Sequence, residues 1–190
     1  MKQIILSTAV FLFAAAGASA QEWNMDKAHS QVMFVIGHMG INQITGSFGT
    51  ASAKLTSSKD DFSDGVIEFT ADINSINTGN EQRNGHLKSD AFFDAAQYGT
   101  LTFKSTSFKK VGDNKYELTG DLTLHGVTKS VTLDAVYNGS IVNPMSKKTT
   151  AGFKVTGTIK RSDFGVGKDF PANIASDEVR LDANTEFVKS

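Results

Sequence analysis

Residues 116–137 read YELTGDLTLHGVTKSVTLDAVY. Tyr116, Leu118, Leu122 and Leu124 alternate with Glu117, Thr119, Asp121 and Thr123. Beyond His125-Gly126 the alternation resumes, with Val131, Leu133, Ala135 and Tyr137 on one face and Thr132 and Asp134 on the other. A period of two with one oily and one wet face describes strands of an antiparallel sheet that meets solvent on one side. His125-Gly126 between the runs reads as a hairpin turn, where glycine supplies a positive φ.

The same pattern extends outward in both directions. Val32, Phe34 and Ile36 alternate, and His38 continues their face. A weaker strand runs from about Ile44 to Leu55 around Phe48. Further runs place Ile67, Phe69, Ala71 and Ile73 on one face, then Leu101 and Phe103. Phe153, Val155 and Ile159 follow, and last Val179, Leu181, Ala183 and Phe187. That makes eight strands, separated by turn signals at Asp60 to Gly65, Gly112 to Asn114, Asn138-Gly139 and Asn143-Pro144. Short links favour a meander of neighbouring strands. One stretch breaks the pattern: residues 78–96, TGNEQRNGHLKSDAFFDAA. Thr78 or Asn80 suits a helix cap, and Asp90 suits the start of a second short turn carrying Phe92 and Phe93. The expectation is an all-β fold with a short helical insertion between strands 3 and 4. Periodicity alone leaves open whether the strands stack as a sandwich or close as a barrel, which removes exposed edges.

The chain opens MKQIILSTAVFLFAAAGASA. Lys2, an apolar run from Ile4 to Ala16 and the small residues Ala18-Ser19-Ala20 have the layout of a cleaved signal peptide over residues 1–20. The apolar run is short for a membrane span, which needs roughly 20 residues. Removing the first 20 of 190 residues leaves 170, one domain, residues 21–190. The 19 basic residues fall to 18 with the loss of Lys2, against 20 acidic ones. Such a balance gives no electrostatic footprint for nucleic acid and no polybasic run for anionic lipid. With no cysteine, there is no disulfide, thiolate nucleophile, cysteine metal ligand or lipoprotein anchor. No G-x-S-x-G and no H-E-x-x-H occurs, so neither a nucleophile elbow nor a zinc-protease pair is indicated. No catalytic or metal-ligating residue is singled out.

An ordered set of short motifs spans the chain. It comprises Asp26-x-x-His29-Ser30, Phe34-x-x-x-His38, Gly46-x-Phe48, Ile73-x-Ser75-Ile76-x-Thr78, Arg83-x-x-His86-Leu87 and Phe92-Phe93-Asp94. Gly120 to Lys129, Arg161 to Val166 and Asp177 to Leu181 complete it. In this order the set resembles the YceI-like family of periplasmic polyisoprenoid-binding, lipocalin-like proteins. The resemblance implies an eight-stranded antiparallel lipocalin-like barrel, a periplasmic location and an isoprenoid or other long-chain amphiphile held inside. That ligand would be a quinone-like or prenyl phosphate isoprenoid, or a fatty acid or amide, with no required cofactor. Two departures stand out: the family's Arg-Asp is Arg83-Asn84 here, and its Tyr-Pro is Tyr98-Gly99. The first bears on the polar network at the cavity mouth.

The expected ligand-facing residues are Phe34, Ile36, His38, Phe48, Phe69, Arg83, His86, Leu101, Phe103, Leu122, Leu124, Phe153 and Phe164. The apolar members line a cavity for an alkyl chain or else fill a solid core. His38 meets a headgroup or is a core histidine bonded to a neighbour. Arg83 and His86, three apart on a helix, form an electropositive lid; alternatively Arg83 pairs with a carboxylate such as Asp26. Phe92 and Phe93 read as packing anchors, and Asp26 with His29 as a turn network. Besides a carrier, the open alternatives are a low-turnover enzyme acting on a bound lipid and a protein-interaction module. An exposed barrel end could support a homodimer.

Overall fold

The structure, a computed structural model, describes residues 20–190; the expected signal peptide, apart from Ala20, lies outside the described residues. The strands are β1 (Gln21–Met25), β2 (Gln31–His38), β3 (Asn42–Phe48), β4 (Ala51–Ser57), β5 (Val66–Asp72) and β6 (Ile76–Asn77). After helix α1 (Glu81–Lys88) come β7 (Thr100–Gly112), β8 (Lys115–Leu124), β9 (Val127–Val142), β10 (Thr149–Lys160) and β11 (Ala175–Lys189). All pairings are antiparallel. The order β1-β4-β5-β7-β8-β9-β10-β11 closes on itself, because β1 also pairs with β11 through Trp23 opposite Lys189.

This is an eight-stranded barrel in which three strands are broken. β1 and β2 form one broken strand along β11, β3 and β4 a second, and β5 and β6 a third. Polar side chains make two of the breaks. Asp26 accepts the amide of Ala28 (2.9 Å) and Nδ1 of His29 (2.8 Å), which braces the bend between β1 and β2 as the sequence suggested. Asp72 accepts the Asn74 amide (2.8 Å) and starts the 3-10 turn Ile73–Ser75. Counted by separate strands, the helix therefore sits between β6 and β7, not between β3 and β4, because the breaks in the strands are invisible to alternation; counted by barrel strands, it follows the third. Asn80, one of the two expected caps, accepts the Arg83 amide through its side chain (2.9 Å). Asp90 caps nothing; the turn after α1 is held by amides of Phe92 and Asp94 on the Ser89 carbonyl.

The two ends of the barrel differ. At one end the 58–65 loop folds inward and lays Phe62 edge-on against Trp23, Tyr137 and Phe153, with centroids 5.2–5.3 Å apart. Phe108 stacks on Tyr116 beneath it at 4.6 Å. The rings of this aromatic plug are buried, Phe62 to 2 % and Tyr116 to 1 % exposure. Asp64 fixes the loop by accepting from the hydroxyls of Ser57 and Ser58 (both 2.5 Å) and from the Ser58 amide (3.1 Å). Those bonds, chiefly the Ser57 hydroxyl, hold its carboxyl well below the usual range. A depressed carboxylate stabilises the fold above its unfolded pKa and ceases to do so as pH falls through the folded value. Asp64→Ala should therefore cost about 1 kcal/mol at neutral pH, given its exposure. The gap to the unaltered protein should close as the buffer is acidified below the ordinary carboxylate range, read by urea denaturation. A gap independent of pH would count against it.

Candidate functional site: a two-chambered barrel interior

The other end is hollow. An outer chamber of about 250 Å³ lies under α1 and the 161–175 loop. An inner chamber of about 140 Å³ runs on toward the plug. Phe48, Leu101, Ile159 and Leu181 belong to both walls and form a collar between them.

Of the residues singled out from the sequence, Phe34, Ile36, His38, Arg83, His86 and Leu124 line the outer chamber. Phe69, Phe103, Leu122 and Phe153 line the inner one, and Phe48 and Leu101 line both. Phe34 finds room because it lies across Gly46: a Cβ there would come within 2.2 Å of its ring. Phe164 lines neither chamber. It is 1 % exposed, and its carbonyl meets Nδ1 of His125 at 3.2 Å, so it ties the 3-10 turn Arg161–Phe164 to the β8–β9 hairpin. That hairpin has the expected positive φ at Gly126, 72°. Phe92 and Phe93, read as anchors only, are also part of the outer wall.

The polar groups gather at the mouth. Arg83 does not pair with Asp26. Its Nε donates to Oγ1 of Thr78 (2.8 Å) and an Nη to the Thr78 carbonyl (2.7 Å). Asn84, 3 % exposed, accepts the Thr78 amide and hydroxyl, both at 2.8 Å. An aspartate here would set a negative charge beside the guanidinium; the amide leaves the cation uncompensated. The His86 ring stands edge-on to Phe92 at 4.9 Å. Among the described residues the His38 ring has no hydrogen-bond partner, so it is not a core histidine satisfied by a neighbour.

The alternation pointed at one further cation without its being read. Arg161 continues the inward phase of Phe153, Val155 and Ile159, yet it is 5 % exposed. Its Nε donates to the Ser176 carbonyl (3.2 Å), one Nη to Val166 (3.1 Å) and Gly167, and the other to Phe170 (2.7 Å) and Ala175 (3.2 Å). All five N–H groups of a guanidinium are thus spent on backbone carbonyls. No carboxylate lines the outer chamber, while two fixed cations do.

Residues 23–187 match the YceI-like domain. The chain belongs to the YceI-like family. The protein YceI of Salmonella arizonae is 37% identical over 193 residues, covering all of this chain and 99% of its own. The crystal structure of BcnA from Burkholderia cenocepacia superposes with a TM-score of 0.77 at 28% identity, over 85% of this chain and 98% of that one. A polyisoprenoid binding domain from Saccharophagus degradans shares the fold at 20% identity, with a TM-score of 0.65 over 88% and 98% of the two chains.

The YceI-like barrel has no activated nucleophile in either chamber. Of its lining hydroxyls, Thr78 is committed to Asn84 and Arg83, and Thr185 lies 3.4 Å from the Phe153 carbonyl. Asp26, His29 and Glu186 do bring potential metal-ligating atoms within 4.8 Å of one another. They sit at the β1–β2 bend outside both chambers. The His29–Asp26 bond raises the imidazole's pKa and lowers the carboxyl's. By sign, this pair braces the bend most fully below the ordinary histidine pKa and weakens as pH rises through the raised one.

Proposed function

We propose that the protein is a periplasmic carrier for a long-chain amphiphile, an isoprenoid or fatty chain, tail inward and head beneath α1. The observation that carries this is the pair of apolar chambers joined through one collar, with two fixed cations in the outer one and, in the wall of the inner one, a single charged residue, Asp182, already paired with Lys154 at 3.5 Å. Together their volumes fall within the roughly 300–1,000 Å³ usual for ligand pockets. A ~150 Å³ apolar cavity takes up a benzene ring, so the inner chamber has room for about six carbons and the outer for about ten. Burial at about 0.8 kcal/mol per methylene binds such a chain with few polar contacts.

The head should be an acceptor: a phosphate, a carboxylate, or a quinone or amide carbonyl. The free N–H groups of Arg83 and the unbonded ring of His38 are the donors that would meet it. Arg83→Gln should weaken a carboxylate-headed chain about tenfold and change the matching alcohol by less than about twofold, as loss of one partly exposed charge-assisted bond predicts. Competition titrations with palmitate and hexadecanol read this; equal effects on both would remove Arg83 from the headgroup site.

Among the described residues no helix is long and apolar enough to cross a membrane. Export with cleavage after Ala20 accords with that. Native mass spectrometry of protein recovered from the periplasm, followed by organic extraction, tests the whole reading. A chain starting at Gln21 with an adduct that moves to the organic phase is expected, and the same spectrum counts protomers. Refusal of every long-chain amphiphile offered would overturn the carrier reading.

A further inference from the structure

From Gln31 to Ala53 the chain carries no Asp, Glu, Lys or Arg, although these make up 21% of its residues. This stretch holds the whole β2–β3 hairpin and the start of β4, and the hairpin's tip stands at the mouth of the outer chamber, one residue beyond the lining residue His38. Met39 and Gly40 both have positive φ, 53° and 70°, and the Ile41 amide returns to the His38 carbonyl at 3.2 Å. That is a two-residue primed turn, which favours Asn, Asp or Gly at its first central position. Methionine occupies it instead and is 58% exposed; Ile41 beside it is 86% exposed. The Met39 amide donates to the carbonyl of Ile174 (2.9 Å), itself 37% exposed and part of the chamber wall. Three apolar side chains thus project around one mouth, on a hairpin without formal charge, one of them at a position where the backbone prefers a small polar residue.

We propose that Met39, Ile41 and Ile174 form a membrane-docking rim that seats the barrel mouth on a lipid bilayer, so that a chain passes between bilayer and chamber without crossing water. This rests on the carrier reading: a tail that favours the chamber is for the same reason expelled by water. The absence of charge fits a bilayer surface, where buried charges are costly and apolar side chains on a small element bind by the area they bury. The turn's Met39 and Ile41 amides are already satisfied, by the carbonyls of Ile174 and His38, which limits the backbone donors that enter unpaired.

The test uses the exported protein, vesicles of phosphatidylethanolamine and phosphatidylglycerol, and cis-parinaric acid as the transferable chain. The double variant Met39→Asn with Ile41→Asn keeps the turn, since asparagine suits the left-handed region. Expected results are flotation of the unaltered protein with vesicles and a loss of about tenfold in both vesicle-bound fraction and transfer rate in the variant. Affinity for cis-parinaric acid added from ethanol should stay the same, and the melting temperature should be equal or higher. Transfer at an unchanged rate would overturn the proposal, as would an unaltered protein that does not float. A variant that only turns a dimer into a monomer would assign the rim to a second copy of the chain instead. Failure to take up cis-parinaric acid from ethanol counts against the carrier reading, and flotation still decides the rim.

Discussion

Leu101→Trp should lower affinity for a sixteen-carbon chain more than about a hundredfold and leave a ten-carbon chain nearly untouched. Leu101 is half-buried and belongs to both chamber walls, so a larger ring there closes the collar. Behind the collar lies the 140 Å³ inner chamber, which the comparison with a benzene-sized cavity fills with about six carbons. At about 0.8 kcal/mol each, their burial supplies at most about 5 kcal/mol; losing about 3 of that already exceeds a hundredfold. The chamber offers the ring space, which limits the overpacking penalty of about 1–3 kcal/mol. Competition binding of decanoate and palmitate decides the matter, and retained decanoate binding also shows that the variant is folded. Equal loss of both would mean that the collar substitution damages the outer chamber. Equal retention would mean that chains never pass the collar.

Arg161→Met should destabilise the barrel by about 3–5 kcal/mol, because several buried carbonyls lose a charge-assisted donor at once. Methionine matches the length and apolarity of the stem, so the loss isolates the guanidinium. Five carbonyls, those of Val166, Gly167, Phe170, Ala175 and Ser176, lose their common donor together. Each buried acceptor left without a partner costs about 1–3 kcal/mol, reduced where water can enter from the chamber. Arg161→Lys should recover less than half of the difference, because an ammonium has three donors and no fork. Urea denaturation of the three proteins measures this. A loss below about 1 kcal/mol would show that the 165–176 loop holds its shape unaided.

How much of this was readable beforehand depends on which force set each element. The paired strands around His125-Gly126 were plain, because alternation and a primed turn act over a few residues. The breaks in β1/β2, β3/β4 and β5/β6 were not. Those in β1/β2 and β5/β6 depend on Asp26 and Asp72 bonding back to their own backbone, while the flanking strands still keep phase. Twelve of the thirteen chamber residues named from the sequence line one chamber or the other, because inward phase and apolarity coincide there. Phe164 failed because it belongs to a 3-10 turn, where a period of two means nothing. Arg161 was passed over for the opposite reason: its phase was right, and only its charge argued against an inward place. A cation in phase with Phe153 and Ile159 was the signal, since an arginine buried at such a position must find several acceptors.

The seam between β1 and β11 sets the order of events when the barrel forms. Trp23 lies opposite Lys189, and the side chain of Asn24 reaches the Ser190 hydroxyl at 2.8 Å, so the first strand is completed only by the last. Hairpins such as β8–β9 are local and form early, whereas closing a loop of nearly the whole chain comes late and slowly. Until its final residues arrive, the polypeptide remains an unclosed ribbon of hairpins. A ribbon can still be threaded through a narrow channel, which a finished barrel cannot, so on the proposed route of export this topology delays completion of the fold until the last residues have crossed.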